Sequence, residues 1–160
     1  MDNNLEIKKF LELALKNYKL GNLLEAQNIF DKVISIEPQN IDAHLSLGLI
    51  FKKLGQFEKA RNSYQSVIKL NPNLPLCYRR LGDLEWAAGE IVKAKIHFEK
   101  AITIDPNTPT HHYNLGIIFI ELKENEKAIN CFKKVIEINP KHVDAHFCMA
   151  ATFKEINENE

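Results

Sequence analysis

The chain reads as an all-α protein made of repeated helix pairs. Three observations lead there: prolines at one fixed interval, small and large residues that keep register with them, and apolar residues spaced for helices. Pro38, Pro72, Pro106 and Pro140 differ by 72 − 38, 106 − 72 and 140 − 106, each 34. An interval of that size is the mark of a repeat architecture. The same step gives Leu13, Leu47, Leu81, Leu115 and Met149, each followed by a small residue, Ala14, Gly48, Gly82, Gly116 or Ala150. Further along come Ala26, Ala60, Ala94 and Ala128, then Phe30, Tyr64, Phe98 and Phe132, with nothing inserted or deleted.

Each repeat holds two apolar-periodic blocks. In the second repeat these are "DAHLSLGLIFKKL" and "FEKARNSYQSVIKL", separated by Gly55, which tolerates the left-handed geometry that ends a helix. Small residues belong where two helices cross closely, and an aromatic from the second helix fills the space they leave. Proline closes the repeat because it cannot continue a helix interior. The expected boundaries are 7–40, 41–74, 75–108 and 109–142, with the first helix of a fifth repeat at 143–157, all in one domain spanning 1–160.

These columns resemble the tetratricopeptide repeat family over nearly the whole chain. Two departures stand out. The first large aromatic of the family pattern is Phe10 and Tyr78 in two repeats but His44, His112 and His146 in the others, and Lys123 replaces the turn glycine of the fourth. The resemblance implies a right-handed superhelical solenoid of antiparallel helix pairs. Its first helices would line a concave groove that binds a peptide or protein segment.

The residues of that groove follow from the 34-residue step. One inward column is Leu11, Leu45, Arg79, Tyr113 and Phe147; the next is Leu15, Leu49, Asp83, Ile117 and Ala151; a third is Tyr18, Lys52, Trp86, Ile120 and Lys154. A neighbouring column reads Glu12, Ser46, Arg80, Asn114 and Cys148. The lining is mostly aliphatic and aromatic, which favours an apolar or amphipathic segment, with Arg79, Arg80, Asp83 and Asn114 as polar selectors. Arg79 and Asp83 stand four apart and are equally able to pair with each other. Trp86 follows Glu85, which occupies a column of Phe51, Phe119 and Phe153, so it reads either as a recognition residue or as a substitute for a missing core aromatic. A clamp for the terminal carboxylate of heat-shock chaperones is not matched, because of its required places only Arg80 fits.

Composition excludes several other functions. With 160 residues, 45% of them hydrophobic, the chain can bury a core unaided; Lys plus Arg and Asp plus Glu both number 21, leaving no long-range attraction for nucleic acid or anionic lipid. The start "MDNNLEIKKF" lacks a signal-peptide pattern and no apolar run approaches the roughly 20 residues of a membrane span, so a cytoplasmic protein is expected. Cys77, Cys131 and Cys148 lack metal or disulfide spacing and read as packing residues. His111, His112, His142 and His146 gather near the last repeat junction, but helix starts and the large-residue column explain them, so no metal is expected. No phosphate loop or nucleophile elbow is present, and neither catalysis nor a cofactor is anticipated.

The function expected is thus a non-catalytic protein-interaction module. Two alternatives are a substrate- or partner-docking domain of a larger enzyme such as a transferase, and a self-assembling scaffold. The fifth-repeat helix, with Phe147, Met149 and Phe153, is apolar for a closing element. It suggests end-to-end self-association or a chain that is part of a longer protein.

Overall fold

In a computed structural model, residues 3–158 are described, and among them there are nine α-helices and no strand. The chain divides into two compact units, Met1–Asn73 and Leu74–Glu160. The first contains α1 (Asn3–Lys19), α2 (Leu23–Ile36), α3 (Ile41–Lys53) and α4 (Phe57–Leu70); the second contains α5 (Pro75–Ala87), α6 (Ile91–Ile104), α7 (Pro109–Glu121), α8 (Asn125–Ile138) and α9 (Val143–Glu158). In the first unit α1 pairs with α2 and α3 with α4, while α2 also packs on α3. In the second, α5 pairs with α6 and α7 with α8, and α8 packs on α9.

Each pair closes on the column of small residues. A Cβ added to Gly82 would lie 2.6 Å from Cε1 of Phe98, and one added to Gly116 would lie 2.7 Å from Cε1 of Phe132, too close for real atoms. Gly48 stands in the same relation to Tyr64. The aromatic ring of the second helix thus rests on the backbone of the first, and Phe30, Tyr64, Phe98 and Phe132 are all fully buried. Burying such a ring contributes about 1.5–3 kcal/mol, and a branched side chain at the glycine would force it out of place.

The turn inside each pair is equally regular. The amides of Gly55 and Gln56 donate to the carbonyls of Lys52 and Phe51, and the same two bonds recur at Gly21–Asn22, Gly89–Glu90 and Lys123–Glu124. Both bonds require a left-handed residue after the helix. Gly21, Gly55 and Gly89 have φ of 82°, 71° and 79°, and Lys123 adopts φ of 58° in the same place. The fourth turn therefore forms without glycine, at the steric cost a Cβ brings to that region.

Helix starts are set locally. Pro75 and Pro109 begin α5 and α7, where a missing N–H costs nothing, and Asn40 caps α3 by accepting from the Ala43 amide at 2.9 Å. The three histidines of the large-residue column have one shared task. Nε2 of His44, His112 and His146 donates to the carbonyls of Pro38, Pro106 and Pro140 at 2.9, 2.8 and 2.9 Å, tying each helix start to the loop before it. A carbonyl only accepts, so Nε2 carries the proton.

Two outcomes follow for stability. Lys123→Gly is expected to raise the unfolding free energy by about 1 kcal/mol, read from urea denaturation, by removing the left-handed penalty. Gly116→Val is expected to lower it by about 2–3 kcal/mol, because the ring of Phe132 has no space to retreat into.

Candidate functional site

The inward columns are best described within each unit. In the first, Leu11, Leu45 and Leu49 are half-buried and Leu15 is 44% exposed. Tyr18 lies beneath the Lys53 ammonium, 4.5 Å from the ring centroid, and the Asn17 side chain donates to the Leu13 carbonyl and accepts from the Asn22 amide.

The second unit brings most of the remaining candidates together. Asp83 on α5 is the centre of a polar cluster: one oxygen accepts from the Arg79 guanidinium at 3.0 Å and the other from the Asn114 amide of α7 at 3.1 Å. Arg79 and Asp83 side chains are 19% and 18% exposed, so the pair is largely shielded from water and its hydrogen bonds gain strength accordingly. Of the two sequence readings, intrahelical pairing of Arg79 with Asp83 is present. The bond to Asn114 adds a tie between α5 and α7.

Of the two readings of Trp86, packing is the one its contacts display. It packs, half-buried, against the core cluster of Ala94, Phe98, Leu115 and Phe119, and its indole N–H donates to Glu121 at 2.7 Å. Glu85, beside it, is only 1% exposed although Phe51 and Phe119 fill the equivalent places. Tyr113 stacks on His142 with ring centroids 5.2 Å apart, meets Phe132 at 5.9 Å, and places its hydroxyl 3.7 Å from Sγ of Cys148. Burial first, and the Cys148 contact second, push the phenol up to about 12, so it stays neutral. Ile117 is half-buried, and Phe147 is 73% exposed. Arg80 is half-buried, with Cys77 close enough to feel its charge. Burial raises the Cys77 and Cys131 thiols to about 11, which leaves them unreactive packing groups.

The spacing of these ties carries a signal that single columns do not. Asp83–Asn114, Trp86–Glu121 and Tyr113–Cys148 lie 31, 35 and 35 residues apart. Complementary residues separated by about one repeat length are neighbours on successive first helices. Glu121 and His142 are the residues that column reading missed, and pairing at that offset finds Glu121.

His111 is a special case. It occupies a column of Ala43, Cys77 and Ala145, yet it is 3% exposed, and its Nδ1 is buried with no hydrogen-bond partner among the described residues. Burial lowers its pKa, with nearby Asp105 opposing that shift and Arg79 and His112 reinforcing it. His142, by contrast, uses Nδ1 to accept from the Ala145 amide at 3.2 Å. No group of three or more metal-ligating side chains comes together among the described residues.

The depressed pKa of His111 gives the unfolded chain the higher proton affinity. Its contribution to stability is therefore complete above the unfolded value of about 6.5 and is lost as the pH falls below it. His111→Ala, which restores the residue of the neighbouring repeats, is expected to flatten the acid side of a melting-temperature profile below about pH 6.5 relative to the parent chain. Parallel profiles for the two proteins would contradict this.

Comparison with known proteins accords with the geometry. Family models described as tetratricopeptide repeat match residues 41–74 and 110–142 in one case and 10–40 and 76–108 in the other. No curated protein sequence matches the chain. Among solved structures, MamA from Desulfovibrio magneticus RS-1 is 23% identical with a TM-score of 0.77, covering 85% of this chain and 77% of that one. PilF of Pseudomonas aeruginosa is 19% identical with a TM-score of 0.85, covering 99% and 72%. YrrB, described as a tetratricopeptide protein with an unusual peptide-binding site, is 15% identical with a TM-score of 0.76, covering 100% and 86%. At these identities the likeness is one of fold. With family models matched to four consecutive repeats that include the glycine, aromatic and proline columns, the chain belongs to the tetratricopeptide repeat family.

Proposed function

We propose that the chain is a non-catalytic protein-interaction module that takes up an apolar or amphipathic protein segment on the inward faces of its first helices. The repeat family is one of interaction modules, which supports the coarse part of this reading. The observation that carries the finer part is the division of labour in the second unit. Asp83 already engages Arg79 and Asn114, and Glu121 engages Trp86, so these polar groups hold the first helices in place. The inward columns leave apolar side chains accessible, Ile117 and Ile120 half-buried, Ala151 and Phe147 exposed and, in the first unit, Leu15 exposed, beside the exposed Lys154 and Glu12.

Affinity then comes from apolar anchors, each contributing about 1.5–3 kcal/mol before ordering costs, with Arg80 as a selector for an acidic group flanking them. No helix among the described residues is long and apolar enough to cross a membrane.

Panning a displayed peptide library against the chain tests the proposal. Selected segments are expected to carry Leu, Ile or Phe at helical or alternating spacing and to bind Ala151→Glu at least tenfold more weakly, with circular dichroism unchanged. Segments selected for charge alone, or binding untouched by Ala151→Glu and Leu15→Ser, would sink it. Asp83→Ala, in contrast, is expected to cost about 1–3 kcal/mol of stability whether or not a segment is bound.

A further inference from the structure

One joint between repeats pairs an imidazole with a carboxylate where the others do not. The residues equivalent to His111 at the other joints are Ala43, Cys77 and Ala145, and those equivalent to Asp105 are Glu37, Asn71 and Asn139. A histidine and an acid coincide only between α6 and α7. Asp105 serves its loop as two of its counterparts serve theirs: its side chain accepts from the Asn107 amide, as Asn71 and Asn139 accept from the amides of Asn73 and Lys141. The turn therefore needs an oxygen at this place but not a charge.

His111 is enclosed in a way that suits its neutral form alone. It is 3% exposed, and its buried Nδ1 has no hydrogen-bond partner among the described residues. An imidazolium donates from both nitrogens, so a second proton would create a buried charge whose Nδ1–H meets no acceptor. Charged groups act on the ring from three places: Asp105 in the loop, Arg79 on α5 and His112 on α7 itself. Of these Asp105 alone favours a cation. The Thr108 hydroxyl and then the Asn107 amide hold its carboxyl below the usual carboxylate range, so it is still an anion at about pH 5.

We propose that His111 and Asp105 form an acid-operated latch: on protonation the imidazole leaves its enclosure for the Asp105 carboxylate, and the first turns of α7 loosen from the packing against α6. The ring thus has a packed neutral position and an outward charged one, and the proton selects between them. The inward face feels the change, because Asn114, three residues after His111, holds the Asp83 carboxylate that also engages Arg79. A cation at His111 repels the Arg79 guanidinium as well, which strains the same tie.

Amide exchange followed by nuclear magnetic resonance on the intact chain, corrected for the intrinsic effect of pH, tests the latch between about pH 7.5 and 5. Protection of the amides in the first half of α7 is expected to fall by about tenfold or more on acidification, while that of α2 in the other unit is kept. Two variants restore residues already present at equivalent joints, and both are checked for folding by circular dichroism. His111→Ala is expected to abolish the fall. Asp105→Asn is expected to keep it but to move its midpoint to lower pH, because the attracting anion is gone. An equal loss of protection in α2, a fall that persists in His111→Ala, or an unmoved midpoint in Asp105→Asn overturns the proposal.

Discussion

A bare α-carbon beneath an aromatic ring is the contact on which each helix pair depends. At Gly82 and Gly116 no side chain intervenes between the two helices, and the ring of Phe98 or Phe132 takes the space a methyl would have used. This fixes three things together. It sets the separation of the pair, it selects which face of the second helix turns inward, and it leaves the opposite faces of the first helices free of that packing. The left-handed residue in each turn then has only to reverse the chain within two or three residues.

The fold was legible in the sequence because this contact repeats. A glycine or alanine sixteen positions before an aromatic means little once, but four occurrences at one interval constrain the architecture. The site was less legible, for a physical reason. Columns report residues that do the same job in each repeat, whereas the ties of Asp83, Trp86 and Tyr113 run to the next first helix, as the contact of Tyr18 with Lys53 does. Their partners lie on the next first helix at an offset that is close to, but not equal to, the repeat length. Column reading marked Arg79 and Asp83 as selectors or as a pair, and only side-chain geometry brought Asn114 to the same carboxylate.

His111 shows the opposite limit. By sequence it was one of several histidines at helix starts, and its neighbours in the chain gave no hint that it alone is enclosed. The distinction arises from its column, where alanine and cysteine are the rule and an imidazole must be accommodated inside the packing. His44, His112 and His146, which stand in a column of large residues, keep their rings at the surface side and spend a proton on a proline carbonyl instead. The same residue type is thus a titration liability in one register and a loop fastener in the next.

The carboxylate of Asp83 also bears on how freely such a chain can change its length. Repeats joined only by shared columns are interchangeable parts, and copying or deleting one leaves every contact type intact. Asp83 and Asn114 break that equivalence, since a repeat inserted between them would carry the amide a full period away from its acceptor. A repeat inserted between the third and the fourth would therefore break a bond as well as lengthen the chain.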